Sequence, residues 1–144
     1  MILFFMGFSL IGEAQSSSDF KEFLAEFAID MQREANSSGE NTLAEMGIIA
    51  KPSFAYSKTT NTLIYKLKVS SEDIYEKMDV DGGCDGGLNG FLEEMNNQGQ
   101  LKWFAEQIKE YGTSFAFVVQ YREKVKQSVM SSSQIYKKAM LMLK

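Results

Sequence analysis

Thr62-Leu63-Ile64-Tyr65-Lys66-Leu67-Lys68-Val69 alternates along its whole length, with Leu63, Tyr65, Leu67 and Val69 on one side and Lys66 and Lys68 on the other. Successive side chains on a strand point to opposite faces, so this stretch predicts a β-strand with one face on a core and one toward water. Ser57-Lys58-Thr59-Thr60-Asn61 just upstream reads as a hairpin loop. It would join the strand to an extended stretch from Ile48 to Tyr56. Pro52, the single proline, has no amide for a ladder bond, so that partner is expected at the sheet edge or bulged. Further on, Phe115, Phe117, Val119 and Tyr121 alternate against Ala116, Val118, Gln120 and Arg122. Both sets are largely apolar, which predicts a central strand covered on both faces. Val125, Gln127 and Val129 extend the pattern into a fourth strand after a tight turn at Glu123-Lys124.

Between these runs the period changes. Phe20, Phe23, Leu24, Phe27, Ala28 and Met31 recur at steps of three and four, predicting a helix over 18–35 with Asp19 and Glu22 as a capping box. Asn36-Ser37-Ser38-Gly39 would end it, with a single helical turn near Thr42 to Met46. Ser70 or Ser71 opens a second helix through Met78, with Glu72 and Asp73 near its positive end. Helical spacing returns at Leu88, Phe91, Leu92 and Met95, then at Leu101, Phe104, Ala105 and Ile108 before Gly112. Ser131 to Ser133 can cap a last helix carrying Ile135, Tyr136, Ala139, Met140 and Leu143. The order predicts an α+β fold: a three- or four-stranded antiparallel sheet with helices packed on one face. The phenylalanine stripe would then be buried against Leu63, Tyr65, Phe115 and Phe117.

The first dozen residues, MILFFMGFSLIG, form an apolar run of signal-peptide length, too short for the ~30 Å hydrocarbon layer. Gly12 and Ala14 place small residues at the −3 and −1 positions of a cut after Ala14. The division expected is a signal peptide over 1–14 and a single α+β domain over 15–144, with a periplasmic or secreted location. A buried N-terminal strand or helix is the alternative. No Lys or Arg precedes the run.

The 144 residues carry a net charge of −4, which lacks the positive field that nucleic-acid binding requires. No second apolar run reaches the ~20 residues of a membrane span. Cys84 is the single cysteine, so no internal disulfide can form and the core must supply the stability. A partly buried, unreactive thiol is expected there, with an intermolecular disulfide as the other reading. Histidine is absent, which removes Ser–His–Asp and Cys–His catalysis and imidazole-bound zinc. The order of elements, with its LIYKL and FVVQY strands, resembles small exported bacterial domains of unknown function. That resemblance implies an exported α+β domain and no catalytic residues.

Met78 to Gly90 (MDVDGGCDGGLNG) holds Asp79, Asp81 and Asp85 among glycines, a composition suited to a Ca²⁺ loop because hard cations take carboxylate oxygens on pliable backbone. Neither EF-hand register fits: one puts Gly83 and Leu92 at ligand positions, the other puts Cys84 where the turn glycine belongs. The alternative is a flexible linker between two helices. Ser18 and Lys21 match S-x-x-K, but the S-D-N and K-T-G elements that accompany that motif in serine acyl-transferases are missing. Glu93, Glu94, Glu106 and Glu110 could contribute acid–base pairs but are spaced as a solvated helix face. Trp103, Tyr111 and Tyr121 are the candidate ligand- or partner-binding aromatics, since such residues are enriched at binding hot spots. The function expected is that of a cofactor-free, non-enzymatic binding domain for a protein partner or a small apolar ligand. Its rival is a Ca²⁺-dependent or carboxylate-based enzyme whose acidic site assembles only in three dimensions.

Overall fold

The computed structural model describes residues 17–45 and 47–143. The expected signal peptide over 1–14 lies outside them. Helix α1 spans Ser17–Glu34 and runs into a π-helical turn, Ala35–Gly39, and then α2, Glu40–Glu45. Strands β1 (Ala50–Ser57) and β2 (Thr62–Val69) form a hairpin. Helices α3 (Glu72–Lys77), α4 (Val80–Asn97) and α5 (Leu101–Tyr111) follow. Strands β3 (Ser114–Tyr121) and β4 (Lys124–Met130) make the second hairpin, and α6 (Ser132–Met142) closes the chain.

The sheet order is β1-β2-β3-β4. Both hairpins are antiparallel, but β2 and β3 run parallel, with Leu63 opposite Phe115 and Leu67 opposite Val119. The sheet is therefore mixed, which corrects the antiparallel expectation. The cause is the connection over 70–113: three helices carry the chain back to the start of β2 before β3 begins, a crossover that only parallel pairing permits. Asn61 fixes where β3 starts. It sits at the end of the β1–β2 loop with φ of 51°. Its backbone carbonyl accepts from the Ser114 amide at 3.0 Å, and its Nδ2 donates to the Tyr111 carbonyl at 2.7 Å. Its Oδ1 accepts from Tyr56 Oη at 2.6 Å and from the fully buried Thr113 Oγ1 at 2.9 Å. One side chain thus ties the first hairpin to the end of α5 and the start of β3.

The inner face carries Pro52, Phe54, Leu63, Tyr65, Leu67, Phe115, Phe117 and Val119, and among the described helices α4 lies directly on it. The stripe on α1 is buried as expected, but its rings meet mainly the helical layer. Phe20 and Phe23 contact Trp103 and Phe104, and Phe27 contacts Phe91 and Phe104. Phe91 then meets Phe54 and Phe115 of the sheet. The outer face of β3 carries Ala116, Val118 and Gln120, of which Ala116 is buried and Val118 and Gln120 are half-buried. Beside them, Val125 and Val129 of β4 remain about half exposed.

Local chemistry explains most boundaries. Ser71 Oγ accepts from the Ile74 amide to start α3, and Ser131 forms a capping box with Gln134 to start α6. Gly112, with φ of 71°, ends α5 in the left-handed conformation. Helix α1 starts before Asp19, which leaves Asp19 inside the first turn and frees Glu22 to pair with Lys58 instead of capping. Residues 36–39 widen the helix into a π turn where an end was expected. The turn between β3 and β4 is Arg122-Glu123, with Arg122 at φ of 53°, one residue before the expected position.

Candidate functional site

The largest departure from the sequence reading is also what shapes the site. Val80 to Gly90, expected as a linker, is the first half of α4. Five of its residues are glycines, each disfavoured in a helix by about 1 kcal/mol relative to Ala. Close packing explains two of them. A Cβ on Gly83 would lie within 3 Å of the Phe117 ring, 2.8 Å from Cδ2 and 2.9 Å from Cζ. One on Gly87 would lie 3.2 Å from Tyr65 Cδ2 and 3.6 Å from Phe115 Cζ. The bare backbone of α4 therefore rests directly on the aromatic rings of β2 and β3, and tertiary contact overrides propensity. Gly86 and Gly90 differ, because a Cβ there would meet nothing within 4 Å.

The space beside Gly86 is an open cleft of about 600 Å³, within the range of small-molecule sites. Its floor is the inner sheet face at Pro52, Phe54, Tyr65, Leu67 and Phe117. One wall is Met78 with Gly82, Gly83, Gly86 and Gly87. The other is Met31, Glu34, Ala35 and Ser38, closed at one end by Leu43 and Ile48. A narrower extension runs past Gly90 and Phe91 to Glu94. Phe54 and Tyr65, opposite each other on β1 and β2, stack face to face at 4.5 Å with their planes 4° apart, so each ring covers one face of the other. Burial raises the Tyr65 phenol above its ordinary value, so it stays protonated at neutral pH.

The anticipated aromatics do not converge here. Trp103 is half-buried, 6.0 Å from Phe20 and 5.1 Å from Phe23, and Tyr111 lies 5.8 Å from Phe20. Those two share the α1–α5 contact. Tyr121 sits elsewhere, 6.5 Å from Tyr75 of α3. Phe104, next to Trp103, is fully in the core, so the two neighbours point differently as their helical positions require.

The aspartates are distributed along a helix and not around a loop. Asp79 immediately precedes α4, Asp81 is in its first turn, and Asp85 is held by Lys138 of α6. Among the described residues no three Asp, Glu or Cys side chains stand close enough to share a metal ion. Nor does any described helix have the length and apolarity to cross a membrane. The carboxyl held clearly below its usual range is Glu72, through its 2.6 Å hydrogen bond from Lys124 and that residue's charge, on an exposed surface away from the cleft.

Cys84 is 1% exposed, on the side of α4 that faces the sheet. Burial pushes its thiol upward, outweighing interactions with Ser128 and the Phe117 backbone that pull it down. Iodoacetamide is expected to leave Cys84 unlabelled in the native protein over hours and to label it within minutes in denaturant. Mass spectrometry reads the difference, and fast native labelling would show that α4 opens readily.

No protein-family model matches the chain, and no curated protein and no solved structure matches it. The site must therefore be read from its own chemistry. The cleft escaped the sequence reading because Pro52, Phe54, Tyr65 and the glycines of α4 are distant along the chain. The signal was nevertheless there: glycines repeating at i, i+1, i+4 and i+5 trace one helix face.

Proposed function

We propose that this protein is an exported, non-enzymatic domain that binds a small, largely apolar molecule in the cleft between α1, α4 and the sheet. The observation that carries the reading is Gly86, which costs α4 stability although no neighbour forbids a side chain there. Gly86 lines the cleft, and a Cβ there would meet open space. Phe54, Tyr65, Leu67 and Phe117 offer an apolar floor, and the Tyr65 phenol can donate one hydrogen bond to orient a guest. The apolar run over 1–12 with Gly12 and Ala14 supports export to the periplasm or beyond.

The test is a fluorescence titration with a neutral apolar dye, N-phenyl-1-naphthylamine, against wild type and Gly86→Leu. Leucine improves helix propensity at this position, so the variant is expected to fold, with its melting curve as the control. Wild type should show saturable one-to-one binding. The variant should bind at least about tenfold more weakly, equivalent to roughly 1.4 kcal/mol. Absence of saturation, or equal affinity in the two proteins, would refute the reading.

A further inference from the structure

Every charged residue in the four strands is a lysine, although the chain as a whole is acidic. Three of these lysines meet on the outer face. Lys51 lies directly opposite Lys68, and Ser53 lies opposite Lys66. Lys66 and Lys68 are two residues apart on one strand, roughly 7 Å, and the diagonal from Lys51 to Lys66 is roughly 7–8 Å. Like charges placed directly opposite in a sheet destabilise it. Four other lysines are ion-paired: Lys58 with Glu22, Lys77 with Asp73, Lys124 with Glu72 and Glu76, and Lys138 with Asp85. Among the described residues, Lys51, Lys66 and Lys68 have no such partner.

These three border a hollow of about 460 Å³ at the β1 edge, closed on the far side by α1 and the π turn. Gln32 Oε1 accepts from the Phe54 amide at 2.7 Å, and Gln32 Nε2 donates to Asn36 Oδ1 at 2.9 Å. That relay leaves Asn36 with its Nδ2 amide hydrogens to offer. Ser53 adds a hydroxyl, and no carboxylate lines the hollow. The hollow and the apolar cleft share Ala35 and Pro52 as a common wall but differ in every other lining residue.

We infer that the hollow framed by Lys51, Lys66 and Lys68 binds a phosphate monoester group. A dianion answers three clustered ammonium charges better than a carboxylate does, and the phosphate oxygens can accept from lysine, amide and hydroxyl donors at once. The site does not depend on the apolar cleft being occupied.

The test compares wild type with the Lys66→Gln/Lys68→Gln double variant by thermal melts in chloride, inorganic phosphate and glycerol phosphate at matched ionic strength. At ten times its dissociation constant, phosphate should shift the wild-type folding equilibrium toward the native state by about tenfold. In low-salt chloride the variant should melt at or above wild type, because the repulsion is gone, and it should not respond to phosphate. Co-sedimentation with phosphatidic-acid vesicles, lost in the variant, would place the same phosphate group on a lipid headgroup. A wild type indifferent to soluble phosphate and to vesicles, or a variant that responds equally, would overturn the assignment. Dye binding in the cleft should be unchanged in the variant, which separates failure here from failure of the cleft reading.

Discussion

Asn61→Ala is expected to lower the unfolding free energy by about 3 kcal/mol, measured by urea denaturation. Two terms add. Alanine removes the acceptor of the buried Thr113 hydroxyl and the donor to the Tyr111 carbonyl, and a buried polar group stripped of its partner costs about 1–3 kcal/mol. Alanine also tolerates a positive φ less well than asparagine, by about 1 kcal/mol. Asn61→Gly separates the terms: it loses the same side-chain bonds but accepts the backbone conformation, so it should recover about 1 kcal/mol and still lose about 2 kcal/mol. Equal stability of the alanine variant and wild type would mean that this side chain does not hold the two hairpins together.

Gly83→Ala should reverse the usual sign of a helical Gly→Ala substitution. In an open helix the change gains about 1 kcal/mol. At Gly83 the new methyl would enter the ring of Phe117, which is 2% exposed and has core on its other sides. Overpacking of that kind costs about 1–3 kcal/mol or more, so a net loss of roughly 1–3 kcal/mol is expected. Gly86→Ala, one turn on, meets no neighbour and should be stabilising by up to about 1 kcal/mol. Opposite signs at two glycines of one helix are the readout. If both variants gained stability, the close approach of α4 to β3 would be wrong.

Elements whose pattern is local were legible in the sequence. Thr62 to Val69 is a strand with the limits its alternation implies, and Ser71, Gly112 and Ser131 mark ends because their side chains or φ values act within four residues. The α+β class and the one-sided helical layer followed from element order. What was not legible depended on distant partners. Glycine in α4 makes sense only beside Phe117, Tyr65 and Phe115, so propensity alone reads the segment as a linker. The direction of β3 relative to β2 depends on where the intervening helices deliver the chain, which no strand pattern encodes. For the site, Trp103, Tyr111 and Tyr121 were chosen for residue type; Trp103 and Tyr111 share the α1–α5 contact while Tyr121 lies beside Tyr75 of α3, so the three do not meet in the cleft.

The parallel seam between β2 and β3 bears on how the chain reaches this structure. Each hairpin can zip from its own short turn, but the seam joins residues from opposite sides of the whole 70–113 excursion. Closing so long a loop must precede its reward, which slows topologies of this kind. Nascent chains would then carry two preformed ribbons awaiting one late docking event, with the loop at Asn61 as the clasp that commits it.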